Sequence, residues 1–333
     1  MTRRAALSLA AVLAACVALV AGCGGDDEPS GDAQRVSLIL DWYANADHAG
    51  IYGAVEEGFF ADEGLDVVPE VPSDPTAALK QVGAGRAPFA ISYEPEVLLA
   101  RSQGVPVVAV GALVVHPLNS VIVRADAGIE SPADLEGRTV GAAGTPSDKP
   151  LLDAVVRSAG GDPAEVTVRN VGFTLAPSLA AGKVDAVIGA YWNIEQVDLE
   201  RQGVETTAFR LEENGVPDYD ELVVVTSDQV VQDDPELVAS FLAGLRRGQD
   251  WAATDQGGAV EHLVAANPDL DGETVAEQLE LTAPLLSPPD EETLALDVSE
   301  WEAFAAWMRD NGLLTEPVVV ADAVTDRFLP EPD

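Results

Sequence analysis

Residues 36–71 read VSLILDWYANADHAGIYGAVEEGFFADEGLDVVPEV. Val36-Ser37-Leu38-Ile39-Leu40 has the apolar content of a buried strand, and Ile51, Tyr52, Val55 and Phe59 then recur at helical spacing. Glu63-Gly64-Leu65 turns the chain, and Leu65 to Val71 reads as a second strand. Strand, helix and strand in so short a span predict a parallel pair, because parallel neighbours need a crossover and here the crossover is a helix.

The rhythm continues outward from that unit. Asp74-Pro75 has the N-cap and N1 chemistry of a helix start, and Gly83 or Gly85 stops that helix. Pro88 to Ser92 predicts a strand, Pro95 to Gln103 a helix and Val105 to Val110 a strand. A second series begins at Ser120-Val121-Ile122-Val123: Ser131-Pro132 caps a short helix, Thr139 to Ala142 is a strand, and Pro150 to Ser158 is a helix ended by Gly160-Gly161. Val166 to Val168, Thr174 to Ala181, Ala186 to Gly189 and Ile194 to Arg201 keep the alternation, and Leu222-Val223-Val224-Val225 is apolar enough for a buried strand. The fold class is therefore α/β, with mainly parallel sheets covered by helices on both faces.

From Pro235 the texture changes to long helices, with Leu237, Phe241 and Leu245 four apart and Ser299 capping a helix that bears Trp301, Phe304 and Met308. These helices are expected to pack on the first lobe. A chain of 333 residues at 47% hydrophobic exceeds what one core usually serves, so two domains are expected.

At the other end, Arg3 and Arg4 precede an apolar stretch from Ala5 to Val20, which predicts a secretory signal peptide over residues 1–22. It is short of the ~20 apolar residues of a membrane span. Gly24-Gly25-Asp26-Asp27-Glu28-Pro29-Ser30-Gly31 follows as polar, flexible chain, and residues 23–35 read as a tether. Cys16 lies in the segment to be removed, which leaves Cys23 alone and no pair for a disulfide, zinc cluster or cysteine nucleophile. The three histidines have no ligand-like spacing, so no metal and no cofactor are expected. The formal charge of −39, more negative still once Arg3 and Arg4 are lost, repels phosphate backbones and excludes nucleic acid as a partner. The same field disfavours free anions as ligands, except where a helix N-terminus offers its amides.

Leu19-Val20-Ala21-Gly22-Cys23 resembles a bacterial lipobox, which implies diacylation of Cys23 and an extracytoplasmic chain anchored to the cell membrane. The run Leu40-Asp41-Trp42-Tyr43-Ala44-Asn45-Ala46-Asp47-His48-Ala49-Gly50-Ile51-Tyr52, with Glu57-Gly58-Phe59-Phe60, carries a second resemblance. Further pieces are Ser92-Tyr93-Glu94-Pro95-Glu96, His116-Pro117-Leu118-Asn119-Ser120, Asp134 to Gly141, Gly189-Ala190-Tyr191-Trp192-Asn193-Ile194-Glu195 and Gly215 to Leu222. Together they resemble the thiamine-pyrimidine-precursor binding proteins of ABC importers, relatives of thiamine pyrimidine synthase and of nitrate-, sulfonate- and taurine-binding proteins.

That resemblance implies a type II periplasmic-binding-protein-like fold of two lobes joined by a two-strand hinge. Lobe 1 is expected over residues 36–122 and 224–333 and lobe 2 over 123–223, with crossings near Val123 and Val223. It implies a monomer that takes a small molecule between the lobes and passes it to an ABC permease and its ATPase. The ligand class is an aminopyrimidine, with a flavin or a sulfonate- or nitrate-like anion as the alternatives. A synthase-like enzyme is the alternative of a different kind. The fungal synthases consume a protein histidine and carry a cysteine-rich iron-binding motif, and this chain lacks such a motif.

Ligands in open α/β sheets bind at the carboxyl ends of strands, and Asp41, Trp42, Tyr93, Glu94, His116 and Tyr191 all fall just beyond predicted strands. A flat aminopyrimidine wants aromatic faces, for which Trp42 and either Tyr191 or Trp192 are candidates, and hydrogen-bonding edges from Asp41, Asn119, Asn193 and Glu195. Asn45 and Tyr219 complete the candidate set from the same motifs. His48 is placed either to reach a ligand or to cap the turn before a helix, and His116 before Pro117 reads as structural. Thr145-Pro146-Ser147-Asp148-Lys149-Pro150 has helix-start chemistry, read either as a plain cap or as amides open to an anion or carbonyl.

Overall fold

The computed structural model describes residues 33–289 and 292–330. The expected leader, Cys23 and most of the tether lie outside the described residues. In chain order the strands are β1 (Gln34–Ile39), β2 (Leu65–Glu70), β3 (Phe89–Ser92), β4 (Val107–Val114), β5 (Asn119–Arg124), β6 (Thr139–Ala142), β7 (Thr167–Asn170), β8 (Ala186–Tyr191), β9 (Thr206–Arg210) and β10 (Leu222–Ser227). The helices begin with α1 (Ala49–Glu56), α2 (Phe59–Asp62), α3 (Ala77–Gly83), α4 (Glu94–Ser102), α5 (Asp148–Ser158), α6 (Leu175–Ala180) and α7 (Glu195–Arg201). They continue with α8 (Asp228–Asp233), α9 (Pro235–Thr254), α10 (Gln256–Ala266), α11 (Gly272–Leu286), α12 (Val298–Asp310) and α13 (Val320–Ala323).

Two five-stranded sheets result, ordered β2-β1-β3-β10-β4 and β7-β6-β8-β5-β9. In the first sheet β10 runs antiparallel to both β3 and β4, and in the second β5 runs antiparallel to both β8 and β9. The sheets are mixed because each receives one strand from the chain as it enters from the other lobe, and that strand points against the βαβ units. Residues 115–118 carry the chain from β4 into the second sheet, earlier than the expected crossing at Val123, and residues 211–221 bring it back to β10.

Every residue of β4 and β10 is buried, as apolar runs covered on both faces require. The long C-terminal helix α9 packs on α1 at a distance only glycines allow. A Cβ at Gly50 would lie 1.8 Å from Gln249 Oε1, and one at Gly53 would lie 2.7 Å from the Trp251 ring. Asp297, not Ser299, caps α12, accepting the Ser299 N–H at 2.7 Å. No helix among the described residues is long and apolar enough to cross a membrane.

Candidate functional site

Between the sheets lies a narrow cleft with a cavity volume of about 20 Å³. Trp42, Tyr93 and Pro95 wall it from the first lobe, Asn119, Thr145, Asp148, Gly189 and Tyr191 from the second, and Tyr219 and Glu221 from the returning passage. Five of the candidates thus meet in one place: Trp42, Tyr93, Asn119, Tyr191 and Tyr219.

Glu221 organises them. The residue stands at the foot of the fully buried β10, so its carboxylate is buried and must find donors there. Its Oε2 accepts the backbone N–H groups of Leu118 and Asn119, each at 2.9 Å, and the Tyr219 hydroxyl at 2.9 Å. Its Oε1 accepts only the Tyr191 hydroxyl, at 3.1 Å, which leaves that oxygen capacity for one more donor. Asn119 accepts the Gly189 N–H on Oδ1 at 3.0 Å, so its Nδ2 donors point the other way. The cleft therefore offers an acceptor and a donor side by side among four aromatic rings, with no lysine or arginine in its lining.

Asp41 stands behind this surface and fixes it. Its Oδ2 accepts the Tyr93 hydroxyl at 3.0 Å and its Oδ1 bonds His48 Nε2 at 2.9 Å. The Asn45 backbone N–H donates to His48 Nδ1 at 3.2 Å, which leaves Nε2 as the ring's N–H donor to Asp41. Both ring nitrogens are occupied and the ring is fully buried, so His48 caps the turn and does not reach the cleft. Asn45 likewise caps, accepting the Asp47 N–H at 2.9 Å.

Four further candidates turn away from the cleft. The Trp192 ring lies under the Arg210 guanidinium, 4.0 Å from its centroid, and its Nε1 donates to the Pro117 carbonyl at 3.4 Å. The buried Asn193 donates from Nδ2 to Asp47 Oδ1 at 2.7 Å and to Thr282 Oγ1 at 2.8 Å, tying the second lobe to the first lobe and to α11. Glu195 accepts the Tyr191 N–H at 2.7 Å at the start of α7. Glu94 accepts the Asp220 N–H at 2.8 Å and lines a separate groove beside His116, which pairs with Asp218 at 2.9 Å. Periodicity cannot foresee these directions, because loop residues just beyond a strand have no fixed face.

Three amides of the loop leading into α5 are taken. Asp148 Oδ2 accepts the N–H groups of Gly144 at 2.7 Å and Thr145 at 2.9 Å, and Glu96 of α4 reaches across to accept the Ser147 N–H at 2.8 Å. Carboxylates of the protein itself thus fill the place an anionic ligand would use. At the cleft's edge Trp42 meets Phe173 of the second lobe edge-on, centroids 4.6 Å apart. Phe173 and Glu221 were not among the sequence candidates, and Thr145 and Asp148 were read there only as part of a helix start.

Burial raises several of these carboxyl groups, Glu221 to about 7, Glu96 to about 7, Glu195 to about 8 and Asp47 to about 6. Each binds its proton more tightly folded than unfolded. Their contribution to stability is full below the unfolded carboxylate range of about 4 and is lost as pH rises through 6 to 8. The melting temperature is expected to fall by roughly 5–10 °C between pH 5.5 and pH 8.5. A melting temperature that rises across that window in calorimetric scans would contradict this electrostatic picture.

Two α/β lobes, two chain passages between them and an aromatic cleft at the junction define the two-lobe binding-protein architecture. Within it the chain belongs to the family described as NMT1/THI5 like, whose pattern matches residues 45–259. It is 38% identical over 302 residues to the formylaminopyrimidine-binding protein of Halalkalibacterium halodurans, covering 90% of this chain and 91% of that one. It is 27% identical to the 4-amino-5-hydroxymethyl-2-methylpyrimidine phosphate synthase of Legionella pneumophila, over 89% of this chain and 93% of the synthase. The alkanesulfonate-binding protein SsuA of Xanthomonas axonopodis pv. citri shares the fold, with a TM-score of 0.71 at 17% identity over 89% of this chain and 99% of that one.

Proposed function

We infer that this chain is the extracytoplasmic substrate-binding component of an ABC importer and holds a thiamine pyrimidine precursor, a formylated aminopyrimidine, in its interlobe cleft. The observation that carries the reading is that Glu221, with acceptor capacity left on Oε1, and the Asn119 side-chain amide line one cleft whose aromatic walls hold no cationic residue. An aminopyrimidine presents an exocyclic N–H donor beside a ring-nitrogen acceptor, the complement of that pair, and its flat ring suits the faces of Trp42 and the tyrosines. The similarity to a formylaminopyrimidine-binding protein along nearly the whole chain supports the same ligand class.

A sulfonate or nitrate fits less well, because Asp148 and Glu96 already use the amides of Gly144 and Ser147 in the loop before α5 and would repel it. Catalysis of the synthase kind needs a reachable histidine, and His48 is locked between Asp41 and Asn45. On this reading the protein works as a monomer, tethered by lipid on Cys23, and releases its ligand to a permease and ATPase as the lobes part. Calorimetry on the purified mature protein tests the ligand: the formylated aminopyrimidine is expected to bind at about micromolar or tighter, and methanesulfonate to give no heat.

A further inference from the structure

A second chamber lies against the cleft, between α3, β3 and α4 of the first lobe and residues 144–146 of the second. Its cavity volume is about 450 Å³, against about 20 Å³ in the cleft. Its floor is apolar, built from Ala78, Leu79, Ile91, Leu99, Ala100 and Val105. Its rim is polar, where Lys80 Nζ donates to Thr76 Oγ1 at 2.6 Å.

The partition between the two spaces is thin. Tyr93 lines both. Alternate residues of one segment face the two sides, with Ala143, Thr145 and Ser147 toward the cleft and Gly144 and Pro146 toward the chamber. Two hydrogen bonds hold that wall, from the Tyr93 hydroxyl to Asp41 at 3.0 Å and from the Ser147 N–H to Glu96 at 2.8 Å. Both acceptors, Asp41 and Glu96, are themselves chamber residues. Gly144 is fixed where it is, since its φ is +94° and a Cβ there would lie 2.1 Å from the Asn170 amide.

We propose that the chamber is a second compartment of the ligand site, taking an uncharged apolar substituent attached to a ring seated in the cleft. The Tyr93 hydroxyl is the gate: when it leaves Asp41, the ring in the cleft and the group in the chamber become one continuous occupant. The protein would then accept a class of N-acylated aminopyrimidines with long acyl groups, and not the formylated compound alone. The substituent is expected to be uncharged, because an ion of either sign loses its water to the apolar floor. The inference rests on the aminopyrimidine reading above.

The experiment uses 4-amino-5-aminomethyl-2-methylpyrimidine acylated on the aminomethyl nitrogen with formyl, butanoyl or hexanoyl, titrated into the full mature protein and into Ala100→Phe. In the wild type the hexanoyl compound is expected to bind within about threefold of the formyl one, since the added methylenes enter apolar space. In Ala100→Phe, where the ring occupies the chamber, the hexanoyl compound is expected to weaken by at least about tenfold while the formyl compound changes by less than about twofold. A wild type that binds formyl but rejects hexanoyl by more than about a hundredfold overturns the chamber and leaves the aminopyrimidine reading intact. Equal losses for both compounds in Ala100→Phe also overturn it. Binding of neither compound sinks both, and the wild-type series decides alone if the variant does not fold.

Discussion

Glu221→Ala is expected to abolish measurable ligand binding and to destabilise the protein by about 3–5 kcal/mol. The stability loss comes from donors left behind: the Leu118 and Asn119 N–H groups and the Tyr191 and Tyr219 hydroxyls all end on this one carboxylate. A buried donor without an acceptor costs about 1–3 kcal/mol, and the hydroxyls can turn to water more easily than the backbone can. The binding loss has two sources, the missing acceptor for the ligand and the loosened Asn119, Tyr191 and Tyr219 around it. Glu221→Gln keeps an oxygen for the two backbone groups and is expected to recover most of the stability. It places a donor where the ligand needs an acceptor, so affinity should remain down by at least about a hundredfold, the scale of one charge-assisted hydrogen bond and its misplaced neighbours. Chemical denaturation and calorimetry on both variants check this, and a glutamine variant with wild-type affinity would remove Glu221 from the site.

Trp42→Ala is expected to act in the opposite proportion, with affinity falling about tenfold to a hundredfold and stability falling by only about 1–2 kcal/mol. Trp42 is half-buried at the cleft edge, where it meets the Phe173 edge and packs against the apolar cluster of the second lobe around Ala143 and Leu175. Removing it exposes one face of the ligand to water and deletes the aromatic contact that bridges the lobes. Unchanged affinity in Trp42→Ala would reject the stacking role and leave the ring as a packing residue.

The parts of the fold that sequence reading recovers are those whose physics is local. The apolar runs of β1 and β10 and the helices α4 and α5 stand near where residue pattern puts them. The edge strand β9 escapes notice, because Thr206-Thr207-Ala208-Phe209-Arg210 is half-exposed and mixed in character. The antiparallel member of each sheet is equally invisible, since nothing local in β5 or β10 states which neighbours they will find.

The site divides along the same line. Position beyond a strand identifies Trp42, Tyr93 and Tyr191 as residues of the cleft rim, because topology alone puts loops there. It cannot tell that Asn193 bonds Asp47 and Thr282, since that depends on α11 and the first lobe arriving from far along the chain, or that Glu195 turns back to the Tyr191 N–H. Glu221 had a legible signal that motif reading passed over. A carboxylate set directly before Leu222-Val223-Val224-Val225 is headed for burial, and a buried carboxylate gathers donors.

The central claim is that acceptor, donor and aromatic faces are arranged here for an uncharged aminopyrimidine and against an anion. The most direct measurement is calorimetric titration of the mature protein with the formylated aminopyrimidine and, in the same buffer, with methanesulfonate. The account predicts saturable binding of the pyrimidine at about micromolar affinity or tighter and none of the sulfonate. Tight binding of the sulfonate with no response to the pyrimidine would contradict it.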